Sequence, residues 1–185
     1  VGVCSGLHAQ ELATYMHYTF EDASQPAMIR DVTGDGNDMA GMADFAASTS
    51  TSQVNQLSSD HDGKALNLAN HGWGTGAWPA PASCDRLEID FWVKPSLVQA
   101  EEYPRLVASY DQFNIVYLRD YGSQGQAAPS IWLNLGGVNS GMVPIAPGQW
   151  NHVVASFNGQ LAADNVQLSV SNAGGNWSAK ATRAV

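Results

Sequence analysis

Two carboxylates stand on alternate residues of one short apolar-polar run, Glu88-Ile89-Asp90, inside Arg86-Leu-Glu-Ile-Asp-Phe-Trp-Val-Lys-Pro95. If that run is a strand, both project from the same face. Paired carboxyl groups about 5 Å apart are what retaining glycoside hydrolysis requires, one as nucleophile and one as acid. The alternative is that Glu88 and Asp90 are solvated or ligand-binding polar groups.

Other chemistry-bearing residues are scattered. The five histidines form no HExxH and no close pair with a third ligand, so a zinc site has no local support. Neither a GxSxG elbow nor a GxxxxGK[ST] phosphate loop is present. Asp31-Val-Thr-Gly-Asp-Gly-Asn-Asp38 places oxygen donors at alternate positions with a glycine at the sixth, but an EF-hand needs Glu at the twelfth, where Met42 stands. An Asx-turn loop, in which Asp and Asn cap their own backbone, accounts equally well for it.

The tryptophans invite a different reading. Ile89, Phe91, Ile131, Leu133, Val153, Ala155 and Phe157 mark core faces by alternation, which puts Trp92, Trp132 and Trp150 on an opposite face with Glu88, Asp90, Asn134 and His152. Aromatic faces rimmed by carboxylates and amides could stack on a sugar and hydrogen-bond its hydroxyls. The competing reading is packing, because tryptophan is usually largely buried. Trp73 and Trp78, in the glycine-loosened loop 71–78, are further candidates for ligand contact.

The elements that must position these residues are strands. Residues 86–94 alternate throughout, and Pro95 ends the run because proline cannot continue an interior ladder. Further strands are predicted over 15–20, 64–68, 105–110, 113–118, 130–135, 150–157 and 166–171, separated by Gly and Asn turns including Gly136-Gly137, a hairpin signal at Asn158-Gly159, and Gly174-Gly175. Residues 21–62 read as long surface loops, and residues 9–13 as one helical turn at most. This is the pattern of a two-sheet antiparallel β-sandwich.

At 185 residues and 44% hydrophobic, the chain is one domain's length with material for a core. Eight Lys+Arg against seventeen Asp+Glu, net charge −9, leave no basic cluster to neutralise a phosphate backbone, so nucleic acid is not expected as a partner. No apolar run approaches the ~20 residues of a membrane helix, so membrane insertion is not expected, and the first ten residues lack a signal-like pattern. Either a signal has been removed or the segment comes from a longer protein. Cys4 and Cys84 make no CxxC motif and read as a disulfide of an exported chain, worth about 4 kcal/mol by loop closure, with free buried thiols as the alternative.

Residues 86–95 and Pro147-Gly-Gln-Trp-Asn-His-Val-Val-Ala-Ser-Phe-Asn-Gly159 resemble the "FWVKP" and "GxWxHVAxxxxG" stretches of the laminin-G-like family, within the concanavalin A-like jelly rolls. Tyr18-Thr-Phe-Glu-Asp22 with residues 31–38, and Gly63-Lys-Ala-Leu-Asn-Leu68, are similar to that family's opening. The resemblance implies one jelly-roll domain over residues 1–185, as part of a larger surface protein, with a structural calcium held near its edge by Glu21, Asp22, Asp31 or loop carbonyls. In a related glucanase pattern, E-x-D-x-x-E, the third acid would fall on Val93, or on Trp92 in a shorter variant, and neither donates a proton.

The family's closing strand motif has no counterpart in residues 176–185. A strand-completing partner or flanking domain, or residues 166–185 themselves, is therefore expected beside the first strand. Function follows the family in class: a non-catalytic binding or adhesion module, extracellular, periplasmic or on the cell surface, recognising a glycan or a surface protein. The alternatives are a glycan hydrolase or lyase, and a structural module of a pilus or surface assembly.

Overall fold

The computed structural model describes residues 2–5, 13–18, 28–34, 36–42, 56–61, 63–67, 73–76, 85–95, 105–109, 113–118 and 129–184. Among these every regular element is a strand: β1 (Gly2–Ser5), β2 (Ala13–Met16), β3 (Met28–Ile29), β4 (Met39–Met42), β5 (Gln56–His61), β6 (Gly63–Asn67), β7 (Trp73–Gly76), β8 (Arg86–Val93), β9 (Arg105–Ser109), β10 (Phe113–Leu118), β11 (Ser130–Leu135), β12 (Val138–Asn139), β13 (Val143–Pro144), β14 (Asn151–Asn158), β15 (Val166–Asn172) and β16 (Gly175–Ala181). The chain divides into two units, the first holding residues 1–3 and 12–82, the second residues 4–11 and 83–185.

In the first unit β3, β4 and β7 form an antiparallel sheet, and β5 pairs with β6. Four segments here read as loops in the sequence and are strands. Met39-Ala-Gly-Met42 lacks β-branched residues, and Trp73-Gly-Thr-Gly76 is half glycine. What makes them strands is pairing with one another, Met39 opposite Gly76 and Met42 opposite Trp73. The polar β5 is likewise fixed by its partner, with a register irregularity between Ser58 and His61, and Met28–Ile29 by pairing with β4. The first predicted strand is shifted too: β2 ends at Met16, short of the predicted 15–20 span.

The second unit carries two antiparallel sheets. One runs β8, β14, β15, β16 in its described pairings, with Val153 opposite both Phe91 and Val170, and Leu168 opposite Ala155 and Ala179. The other runs β9, β10, β11, β12, with β13 beside β11. Strands β11 and β13 pack on β15, and β13 on β16. The core between them is Ile89, Val153, Ala155, Phe157, Val166, Leu168 and Val170 from one sheet and Phe113, Ile115, Ile131, Leu133, Leu135 and Val143 from the other, each at most 8% exposed. Inward and outward residues alternate as a half-buried strand requires, giving the layering of a β-sandwich.

Turn chemistry settles the hairpins. Gly136 and Gly137, at φ +55° and +87°, make the two-residue turn between Leu135 and Val138, a conformation that favours glycine at both positions. The guanidinium of Arg183 packs on Gly136, 2.9 Å from where a Cβ would stand, and lies 5.6 Å from the Phe157 ring centroid, so one side chain near the C-terminus touches both sheets. Asn158-Gly159 is not the predicted tight hairpin. Seven residues separate β14 from β15, and Asn158 starts an Asx turn in which its Oδ1 accepts from Gln160 N at 3.1 Å. Gly159 N donates instead to Asp85 O at 2.7 Å.

The C-terminal hairpin is the main departure from expectation. β16 pairs along its length with β15, and β15 with β14. Residues 166–181 therefore extend the sheet from β14. The sequence pattern does not reveal β16 because its inward residues after Trp177 are only Ala179 and Ala181, too small to mark an apolar period. Below it, buried Asn165 holds the chain end, donating to Arg183 O at 2.8 Å and accepting from Arg183 N at 2.7 Å.

Candidate functional site

Register across the β8-to-β16 sheet puts polar residues in rows on its outward face. One row is Trp92, His152, Ser171, Asn176; the next is Asp90, Val154, Ser169, Ser178; the third is Glu88, Ser156, Gln167, Lys180. These rows follow from period-2 alternation, because the residues between them form the core.

Trp92 is 51% exposed, the one tryptophan among the large apolar side chains that the described surface leaves open. Its indole stacks on the imidazole of His152, directly opposite in register, with ring centroids 4.8 Å apart and planes 21° from parallel. His152 is anchored in turn. Its Nε2 lies 2.8 Å from Asp90 Oδ1, a diagonal cross-strand contact. A carboxylate oxygen accepts, so the hydrogen bond runs from the His152 Nε2–H to Asp90 Oδ1. The result is an aromatic pair held in place by Asp90, beside carboxylates and hydroxyls.

Beside this pair lies an open depression of about 380 Å³ whose walls include His152, Val154, Ser169, Ser171, Asn176 and Ser178. Sequence reading did not single out the residues from β15 and β16. The signal was there for β15, where Gln167, Ser169 and Ser171 alternate with Val166, Leu168 and Val170.

The other expected site residues do not share this face. Trp132 and Asn134 lie on β11, so the single face proposed for Trp92 and Trp132 is corrected: alternation places each outward, but on different sheets. Period-2 reasoning fixes the face of a strand and is silent on which sheet the strand joins. Asn134 Oδ1 accepts from Gly137 N at 3.2 Å, serving the glycine turn. Trp150 is partly buried just before β14. Trp73 stands in β7 opposite Met42, and Trp78 lies outside the described residues.

Glu88 and Asp90 do share the outward face, opposite Ser156 and Val154. Val93 falls on the alternation of Phe91 and Ile89, toward the core, and Trp92 holds the outward position beside Asp90. Asn151 is fully buried at the head of β14. Its Nδ2 donates to Gln149 O at 2.7 Å and Ala146 O at 2.9 Å, with Val93 O at 3.4 Å, while Oδ1 accepts from Ala146 N at 3.1 Å and Asn172 Nδ2 at 2.7 Å. This one amide ties the turn before β14 to the ends of β8 and β15, and so fixes the row that holds Trp92 and His152.

In the first unit the Asp31 carboxylate accepts from His17 N (2.9 Å), Thr33 N (3.1 Å) and Thr33 Oγ1 (2.7 Å). Burial works to raise its pKa, but these bonds and one from the Asn37 N–H prevail and hold it below the usual carboxylate value. Asp38 Oδ1 accepts from Asp31 N at 2.9 Å. Tyr18 donates to Asn37 O at 2.5 Å, and burial, followed by the charges of Asp31 and Asp38, pushes its hydroxyl up to about 12. This geometry is that of an Asx-type loop. No group of three or more His, Cys, Asp or Glu side chains gathers among the described residues, and Glu21 and Asp22 lie outside them. Cys4 belongs to β1, with its side chain undescribed, and Cys84 also lies outside.

No family model matches the chain, and neither do curated proteins or solved structures.

Proposed function

We propose that this chain is a non-catalytic glycan-binding module of a secreted or cell-surface protein, built as a jelly roll of the laminin-G-like kind and binding through the outward face of the β8-to-β16 sheet. The observation that carries this reading is the Trp92 indole, half open to solvent and stacked on His152, which Asp90 anchors. A pre-oriented ring offers stacking area without an ordering cost at the moment of binding. Glu88, Ser156, Ser169 and Ser171 supply hydrogen-bonding groups around it. A glycan array probed with the wild-type chain, with and without calcium, tests the reading: binding to defined glycans is expected, and a blank array under both conditions counts against it.

The same pair favours a second reading, a glycan hydrolase or lyase, since an imidazole bonded to a carboxylate is the usual arrangement of a general base and its orienting group. Turnover of an array-positive oligosaccharide that disappears in His152→Gln would establish it. An intact oligosaccharide after prolonged incubation would remove it.

A further inference from the structure

We infer that the Trp92 platform is one end of an extended binding site, and that its ligand is an uncharged polyhydroxylated chain lying across the strands from Trp92 on β8 to Asn176 and Ser178 on β16. This rests on the glycan-binding reading above. The row Trp92, His152, Ser171, Asn176 crosses four neighbouring strands. At about 4.8 Å between strands it spans roughly 14 Å, longer than a single sugar ring. The depression begins at His152, the neighbour of Trp92 in that row, and its wall continues through Gln167, Ser169, Ser171, Asn176 and Ser178.

The chemistry of that wall selects the ligand. Three hydroxyls and the two primary amides of Gln167 and Asn176 each both donate and accept, which matches sugar hydroxyls, and the lining holds no lysine or arginine for a carboxylate or sulfate. Fixed charges sit outside it: Asp90 and Glu88 at the β8 end and Lys180 one row away on β16. The two carboxylates and the net charge of −9 disfavour a polyanion. Val154, half-buried between Asp90 and Ser169, provides an apolar floor for a ring's CH face.

The test is titration of the 15N-labelled chain, followed by amide shifts, with cellohexaose, laminarihexaose and mannohexaose, with the matching disaccharides, and with a heparin-derived hexasaccharide. Expected is that at least one neutral hexasaccharide moves the Trp92 indole signal together with the amides of residues 169, 171, 176 and 178. It should bind at least tenfold more tightly than its disaccharide, and weaken at least threefold in Asn176→Ala, a change at an exposed position. Shifts confined to the neighbourhood of Trp92, with equal affinity for disaccharide and hexasaccharide, would overturn the extended site and leave the platform reading standing. Tighter binding of the heparin fragment would overturn the neutral class. No movement of Trp92 with any sugar would overturn both.

Discussion

The imidazole of His152 lies against the indole of Trp92, 4.8 Å away and 21° from parallel, and is pinned there by the carboxylate of Asp90. Three side chains from two adjacent strands thus form one unit at the surface. Removing the middle member separates platform function from fold stability. In His152→Ala, stability in urea is expected to fall by only about 0.5–1.5 kcal/mol, the worth of an aromatic pair, because the site is partly exposed. Glycan affinity is expected to fall several-fold as the Trp92 ring gains freedom. A loss of affinity only in proportion to unfolded protein would contradict the platform.

Asn151 is a stability determinant. Its fully buried amide engages three backbone groups within 3.1 Å and the side chain of Asn172. Asn151→Ala strands several of these, and a loss of roughly 2–4 kcal/mol is expected in equilibrium urea unfolding. A change below about 0.5 kcal/mol would mean that water replaces the amide fully.

Asp31 links stability to acid. Its folded-state pKa is lowered, so the folded state binds fewer protons than the unfolded one in the acid range. The contribution is complete above the ordinary carboxylate pKa near 4 and is lost as pH falls through the lower folded value. Denaturation midpoints of wild type and Asp31→Asn should therefore differ most near neutrality and converge toward pH 2. A constant difference across that range would contradict the linkage.

Gly136 is constrained twice, by φ +55° and by the Arg183 guanidinium 2.9 Å from where an added methyl would stand. Gly136→Ala is expected to destabilise by roughly 1–2 kcal/mol. Combining it with Arg183→Ala should recover part of the loss in a double-mutant cycle. Strict additivity would show that the backbone conformation alone sets the cost.

Legibility in the sequence followed the strength of the alternation. β10 and β11 were read with their observed ends, and β8 with one residue too many at Lys94, because branched or aromatic residues mark every inward position, as Ile89 and Ile131 do. β16, with Ala179 and Ala181 inward, and β4 and β7, with their glycines, are strands only by virtue of their neighbours, and pairing partners are not written in a local window. The same limit governed the site. That Trp92, Glu88 and Asp90 project outward was legible from period 2, whereas the assignment of Trp132 to the other sheet was not. The contact of His152 with Asp90 depends on a cross-strand register that local pattern does not give.

The most direct measurement is calorimetric titration of wild type, Trp92→Ala and Trp132→Ala with the neutral hexasaccharides named above, because the two tryptophans stand on different sheets. Truncating an anchor that carries binding should cost about tenfold or more in affinity. That loss is predicted for Trp92→Ala, with wild-type affinity for Trp132→Ala; unchanged binding by Trp92→Ala, or a larger loss in Trp132→Ala, would contradict the platform as the binding site.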